Sequence, residues 1–147
     1  MQVRIANRQD EKQIRELAEA FSLKREDASF DLKGADSDLV NVEANYFGKE
    51  GLFLVVDDDG AIAGFAGANS KADDVLRVKR FAVKECPEKP EIEKELMRVI
   101  VEFAPRLLYG GIEFDVDLDI EESVLRQYNF SKSVSGQDPY LEVEPDF

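Results

Sequence analysis

Apolar and polar positions along this chain repeat with a period that changes from segment to segment, and the changes mark out its elements. "VRIA" (3–6) alternates with the period of two expected of a short strand. Asn7 can then cap a helix, with Asp10 three residues on, where acids favour a helix start. Ile14, Leu17, Ala18 and Phe21 follow at i, i+3, i+4 and i+7, one face of that helix. The stretch 22–36 is polar and irregular, after which Ser37 can cap a second helix carrying Leu39, Val42 and Tyr46 on one side.

The middle of the chain changes period. "GLFLVV" (51–56) and "AIAGFAGA" (61–68) are apolar runs separated by "DDDG", and Asp59-Gly60 between such runs predicts a tight hairpin. The second run is small-sided, which lets a neighbouring element come close. "VLRVKRFAV" (75–83) predicts a third strand. In the helix that follows, Ile92, Leu96, Val99, Ile100 and Phe103 share a face, and Pro105 should kink or end it. Gly110-Gly111 lead into "IEFDVDLDI" (112–120), the cleanest alternation in the sequence. A short helix is predicted over 121–128, with Asp119 and Glu122 spaced as N-cap and N3. "NFSKSV" and "YLEVE" predict a closing hairpin. The order β-α-α-β-β-β-α-β-α-β-β implies a mixed, mostly antiparallel sheet of six to seven strands with helices on its faces, an α/β (α+β) fold.

Composition narrows the chemistry. The 147 residues, 44% hydrophobic and 10% aromatic, suit one folded domain spanning 1–147. There is no histidine, which excludes Ser-His-Asp triads, Cys-His nucleophiles and His-ligated zinc. The single cysteine, Cys86, excludes an intrachain disulfide and a Cys-based zinc cluster. A net charge of −13 points away from nucleic acid and is compatible with an amine-bearing or cationic partner, or with solubility alone. No apolar run reaches the ~18 residues of a membrane span, and the charged N-terminus lacks a secretory signal. The expectation is a cytoplasmic protein.

Several phrases in this order resemble the GNAT superfamily of N-acetyltransferases. "QVRIANRQDEKQIRELAEAF" is similar to its first strand and helix, "GLFLVVDDDGAIAGFAGA" to its second and third strands, "LRVKRFAVKE" to its fourth, and "ESVLRQYNF" to its late helix. The resemblance implies acyl transfer from acetyl-CoA, or a related thioester, to an amine. It implies backbone contacts from Phe81, Ala82 and Val83 to the thioester and pantetheine arm. It also implies a tyrosine on the late helix as proton donor to the departing thiolate. The matching position is Leu125, and Tyr128, one turn later, is the candidate.

The family's pyrophosphate turn uses backbone N–H groups at a helix start, reached past glycines. Here the corresponding positions hold Glu88, Glu91 and Glu93, which weakens the expectation of acetyl-CoA binding. Between 84 and 95 the glutamates outnumber the lysines, and Pro87 and Pro90 each remove a donor. In "IEFDVDLDI" the residues Glu113, Asp115, Asp117 and Asp119 share a face that must be wet or have cationic neighbours. One reading pairs them with Arg77, Lys79 and Arg80 on the preceding strand. A second makes Glu113, Asp115 and Asp117 an amine-binding wall, with Asp115 or Asp117 as general base. A third seats a hard cation, although no metal is expected as a cofactor. Three functional readings stay open: an active acyltransferase using acetyl-CoA or a relative, a catalytically inactive GNAT-fold binding or regulatory module with an acidic ligand face, or, more distantly, a transferase using a smaller acyl donor that needs no pyrophosphate turn.

Overall fold

The computed structural model describes every residue except 24–29, 73, 116, 117, 119, 131–137 and 147. Among the described residues six strands form one sheet in the order of the chain: β1 (Gln2–Ile5), β2 (Leu52–Asp58), β3 (Ala61–Ala72), β4 (Val75–Val83), β5 (Gly111–Phe114) and β6 (Tyr140–Glu142). All neighbours are antiparallel except β4 and β5, which run parallel. The sheet is the mixed, mostly antiparallel one expected. Of the first half of the predicted closing hairpin, Asn129 and Phe130 are not in a strand and 131–134 lie outside the described residues.

The helices are α1 (Glu11–Leu23), α2 (Val42–Asn45), α3 (Lys89–Arg106) and α4 (Glu122–Gln127). Ile14 and Ala18 of α1, with Leu39, Val42 and Tyr46, cover one face of the sheet against Phe53, Val55 and Phe65. Leu96, Met97 and Ile100 of α3, with Val124 of α4, cover the other against Leu54, Val78 and Phe114. Strand β2 is therefore buried on both sides, which is why "LFLVV" is a continuous apolar run rather than an alternation.

Local chemistry sets the element boundaries. Asn7 Oδ1 accepts from the Gln9 N–H, and the Asp10 carboxylate accepts from the Asn7 N–H at 2.8 Å, so the cap read at Asn7 is formed, as a capping box on a 3-10 turn over 8–10 that runs into α1. Asp59 and Gly60 both have positive φ, 52° and 93°, the backbone of the tight turn that twists with the β2–β3 hairpin. Gly67 on β3 shows why that strand is small-sided. A Cβ there would stand 2.6 Å from the Phe53 ring and 2.8 Å from Tyr46. Those two rings meet edge to face at 4.9 Å.

Four local predictions are corrected. The second helix is broken into a 3-10 turn over 37–39, α2 capped by Asn41, and a further turn over 47–49, although Leu39, Val42 and Tyr46 are all buried as the pattern required. The buried face of α3 is Ile92, Glu93, Leu96, Met97, Ile100 and Ala104, with Val99 and Phe103 only half-buried. The carboxylate at 93 disguised that face in the sequence. Helix α4 takes Glu121 as its N-cap and runs from Glu122, one residue later than predicted; the cap predicted at Asp119 lies outside the described residues. The acidic strand ends at Phe114 rather than running to residue 120; Asp115 already lies beyond it, Leu118 donates back to the Asp115 carbonyl, and Asp117 lies outside the described residues.

Candidate functional site

The site begins where β4 and β5 stop pairing. Their parallel register runs from Val75↔Gly111 only to Val78↔Phe114, while β4 continues to Val83 along β3. On the β3 side, Ala68 pairs with Val78 and Gly67 with Arg80, so Lys79 is an extra, bulged residue. The Lys84 N–H donates to the Ala63 carbonyl at 2.9 Å. Strand alternation then gives Ala82 the same orientation and turns the N–H groups of Phe81 and Val83 away from β3, toward the side where β5 is missing. Among Phe81, Ala82 and Val83, the first and last present backbone donors there, and Ala82 is held by β3.

A cleft of about 190 Å³ fills this opening, lined by Phe65, Phe81, Ala82, Val83, Asp115 and Leu118, with Phe21 of α1 closing one side. A second, more polar pocket of about 430 Å³ lies beside it, walled by Asp36, Asp38, Tyr46, Lys49, Asn69 and Arg77. Lys79, Arg80 and Asp115 line both, so the two spaces meet at these three residues.

Charged networks fix the walls. Arg80 grips Asp38 through two contacts, Nη2–Oδ1 at 2.6 Å and Nε–Oδ2 at 3.0 Å, and reaches Asp36 at 3.0 Å. The buried Tyr46 hydroxyl also donates to Asp38. Burial alone would raise the Asp38 pKa, but the hydrogen bonds from Arg80 and Tyr46 outweigh it and hold the carboxyl below the usual range. Burial, with Asp38 beside it, pushes the Tyr46 phenol well above its ordinary value. This cluster ties the segment after α1 to β4 and so positions the pocket wall. Phe30 and residues 35–38 pack or pair here, whereas 24–29 lie outside the described residues.

Arg77 holds the opposite wall. It pairs with Glu113, with Asp138 at 2.7 Å and with Asp115 at 3.4 Å, and Lys71 reaches Glu113 at 2.9 Å. Glu113 on β5 and Asp115 just beyond it thus have cationic neighbours, as one reading of the sequence required. Glu113, however, is only 9% exposed and fully engaged, so it forms part of the wall's frame and not an open amine-binding surface. Arg80 serves Asp36 and Asp38 instead of this strand.

Tyr128 is not among the described residues that line either space. Its hydroxyl donates to the Lys94 carbonyl on α3 at 3.1 Å. Its helix ends in a left-handed Asn129 (φ 64°), with Asn129 and Phe130 donating to Arg126 and Leu125, a closure usually made by glycine. At the start of α3, Glu88 and Glu91 are exposed, and Glu93 is buried at 1%. The Lys89 N–H donates to the Cys86 carbonyl, the Ile92 N–H donates to Glu88, and Pro90 has none. Of the four N–H positions at a helix start that have no intrahelical partner, here 88–91, Lys89 is therefore engaged and Pro90 has none, so two of the four offer no donor to an anion. The Asp36–Asp38–Tyr46 wall escaped sequence reading, because only folding brings residues so far apart onto Arg80.

Among the described residues no helix is long and apolar enough to cross a membrane. No family profile and no curated sequence matches the chain. Solved structures do. A GNAT-family acetyltransferase from Staphylococcus aureus superposes with a TM-score of 0.75 at 17% identity, covering 96% of this chain and 98% of that one. A GNAT-family acetyltransferase from Brucella melitensis, solved with acetyl-CoA, gives 0.72 at 18% identity over 99% and 90%. A putative acetyltransferase from Salmonella typhimurium, also with acetyl-CoA, gives 0.69 at 17% identity over 100% and 95%. At these identities the likeness is one of architecture, and it agrees with the parallel β4–β5 seam that opens into a cleft: this chain has the GNAT acetyltransferase fold.

Proposed function

We propose that the protein transfers an acyl group from a pantetheine thioester to an amine where the two spaces meet. The observation that carries this reading is the open edge of β4, with the Phe81 and Val83 N–H groups facing a cleft that joins a polar pocket at Lys79, Arg80 and Asp115. An extended pantetheine arm has amide groups that can complete such an edge as a missing strand would. Among the described residues of the predicted acidic set, Asp115 lines both spaces, and it is the proposed proton acceptor, directly or through one water. The amine nitrogen attacks the carbonyl carbon, the C–N bond forms, the C–S bond breaks, and the amine proton passes to Asp115. The thiolate, whose conjugate acid ionises at about 8.5, can leave without a dedicated acid. Tyr128, engaged with Lys94, is not needed for that step.

The nucleotide half of acetyl-CoA fits less well. The α3 start is short of N–H donors, and Glu88 and Glu91 repel a diphosphate. S-acetylpantetheine should therefore bind within about tenfold of acetyl-CoA, read by calorimetry on the full chain. A preference for acetyl-CoA by several orders of magnitude would refute this part of the reading. Asp115→Asn should lower kcat by about a hundredfold or more while leaving donor affinity unchanged. A catalytically inactive binding module is the second reading, favoured by the same α3 start. No turnover on any amine, with thioester binding intact, would establish that one instead.

A further inference from the structure

We infer that the polar pocket takes a small amine that also carries an anionic group, a carboxylate or a phosphate, and not a polyamine. This rests on the assignment of that pocket as the acceptor side of the proposed transfer. A protein with a net charge of −13 suggests at first a site for cations. The pocket itself is different. Each carboxylate lining it is already in an ion pair: Asp36 and Asp38 with Arg80, and Asp115 with Arg77. Lys49 and Lys79 line the same pocket, and neither has an ion-pair partner among the described residues. The uncommitted charge of the wall is therefore positive. Lys79 also occupies the bulge on β4, which places a cation at the junction with the cleft.

A second observation points to a ligand with N–H groups. Asn69, 4% exposed, lines this pocket, and its Nδ2 donates to the Asn45 carbonyl at 2.9 Å. That bond fixes which end of the amide is oxygen, and among the described residues the buried Oδ1 has no hydrogen-bond donor. A buried unmet acceptor is rare in a folded protein. Beside a pocket it marks a place where a ligand N–H completes the wall. Cations on one group and an acceptor on another together describe a zwitterionic or anionic amine.

The test uses the full chain without any acyl donor and reads binding by calorimetry. L-glutamate and O-phosphoethanolamine probe the carboxylate and phosphate sources, and spermidine probes the opposite charge pattern. At least one of the two anionic amines is expected to bind in the millimolar range or tighter. Lys49→Gln and Lys79→Gln, changes at exposed positions, should each weaken that probe by about fivefold or more, with spermidine unaffected. Response to one probe alone identifies the anion. Tighter binding of spermidine, absence of binding by both anionic amines at millimolar concentration, or unchanged affinity in both lysine variants overturns the inference. Probe binding without turnover in the presence of thioester removes the acyl-transfer reading and leaves this one standing. Turnover on spermidine without binding of either anionic amine does the reverse.

Discussion

Asp10 ties the start of the first helix to β1 with one carboxylate. It closes the cap of the first helix through the Asn7 N–H and accepts two hydrogen bonds from Arg4, at 2.8 and 2.9 Å. The Arg4 hydrogen bonds, and then the Asn7 N–H, hold its pKa below the ordinary carboxylate value against the opposing effect of burial. Asp38 is depressed as well, by Arg80 and Tyr46. A folded-state pKa below the unfolded one contributes stability above the unfolded value, and that contribution disappears as pH falls through the folded value. The melting temperature should therefore be level near neutrality and fall once the pH drops below about 4, the unfolded carboxylate value. Asp10→Asn should cost about 1–2 kcal/mol at pH 7, measured by urea unfolding, and should flatten the acid limb. Gly67→Ala makes a different demand. Its methyl group would enter the Phe53 and Tyr46 rings, with an expected loss of about 1–3 kcal/mol.

At the scale of elements, the parallel seam between β4 and β5 depends on Arg77. It faces Glu113 across the register and gathers Asp138 from the approach to β6. Arg77→Met would leave the buried Glu113 with Lys71 alone, at a cost of about 3 kcal/mol. A double-mutant cycle should give a larger coupling for Arg77 with Glu113 than with the more exposed Asp115, where about 1 kcal/mol or less is expected. Equal couplings would mean that the seam is not organised around Glu113. The sequence makes the strands legible at this scale because burial is periodic: Ile112 and Phe114 face the core, and Asp59-Gly60 admits few other turns. The end of β5 was not legible. Alternation continues past Phe114 in the sequence, but nothing in a one-dimensional pattern says that the partner strand has already diverged. The broken helix after Ser37 was hidden for a related reason. Short turns and a helix can place Leu39, Val42 and Tyr46 on the same side, and the choice is made by Asp36 and Asp38 meeting Arg80.

For the whole molecule, a net charge of −13 leaves more carboxylates than the cations can balance, so long-range repulsion among surface carboxylates remains. Raising the ionic strength from about 0.01 M to about 0.15 M shortens the Debye length from roughly 30 to 8 Å. The melting temperature should rise over that range, measured by calorimetry, because relief of self-repulsion outweighs weakening of exposed pairs. A fall would show that the paired networks dominate. The short parallel seam has a kinetic consequence as well. Strands β2, β3 and β4 are joined by a tight hairpin and a short connection, whereas β5 must wait for the whole of α3 to form and return. Contacts between near neighbours in sequence form before those that close long loops. Amides of β2 and β3 should then exchange with solvent more slowly than those of β5 and β6, and refolding monitored by pulse labelling should protect the meander first. The opening beside β4 is accordingly the last part of the molecule to take shape, and a compound that bridges it would slow unfolding more than it speeds folding.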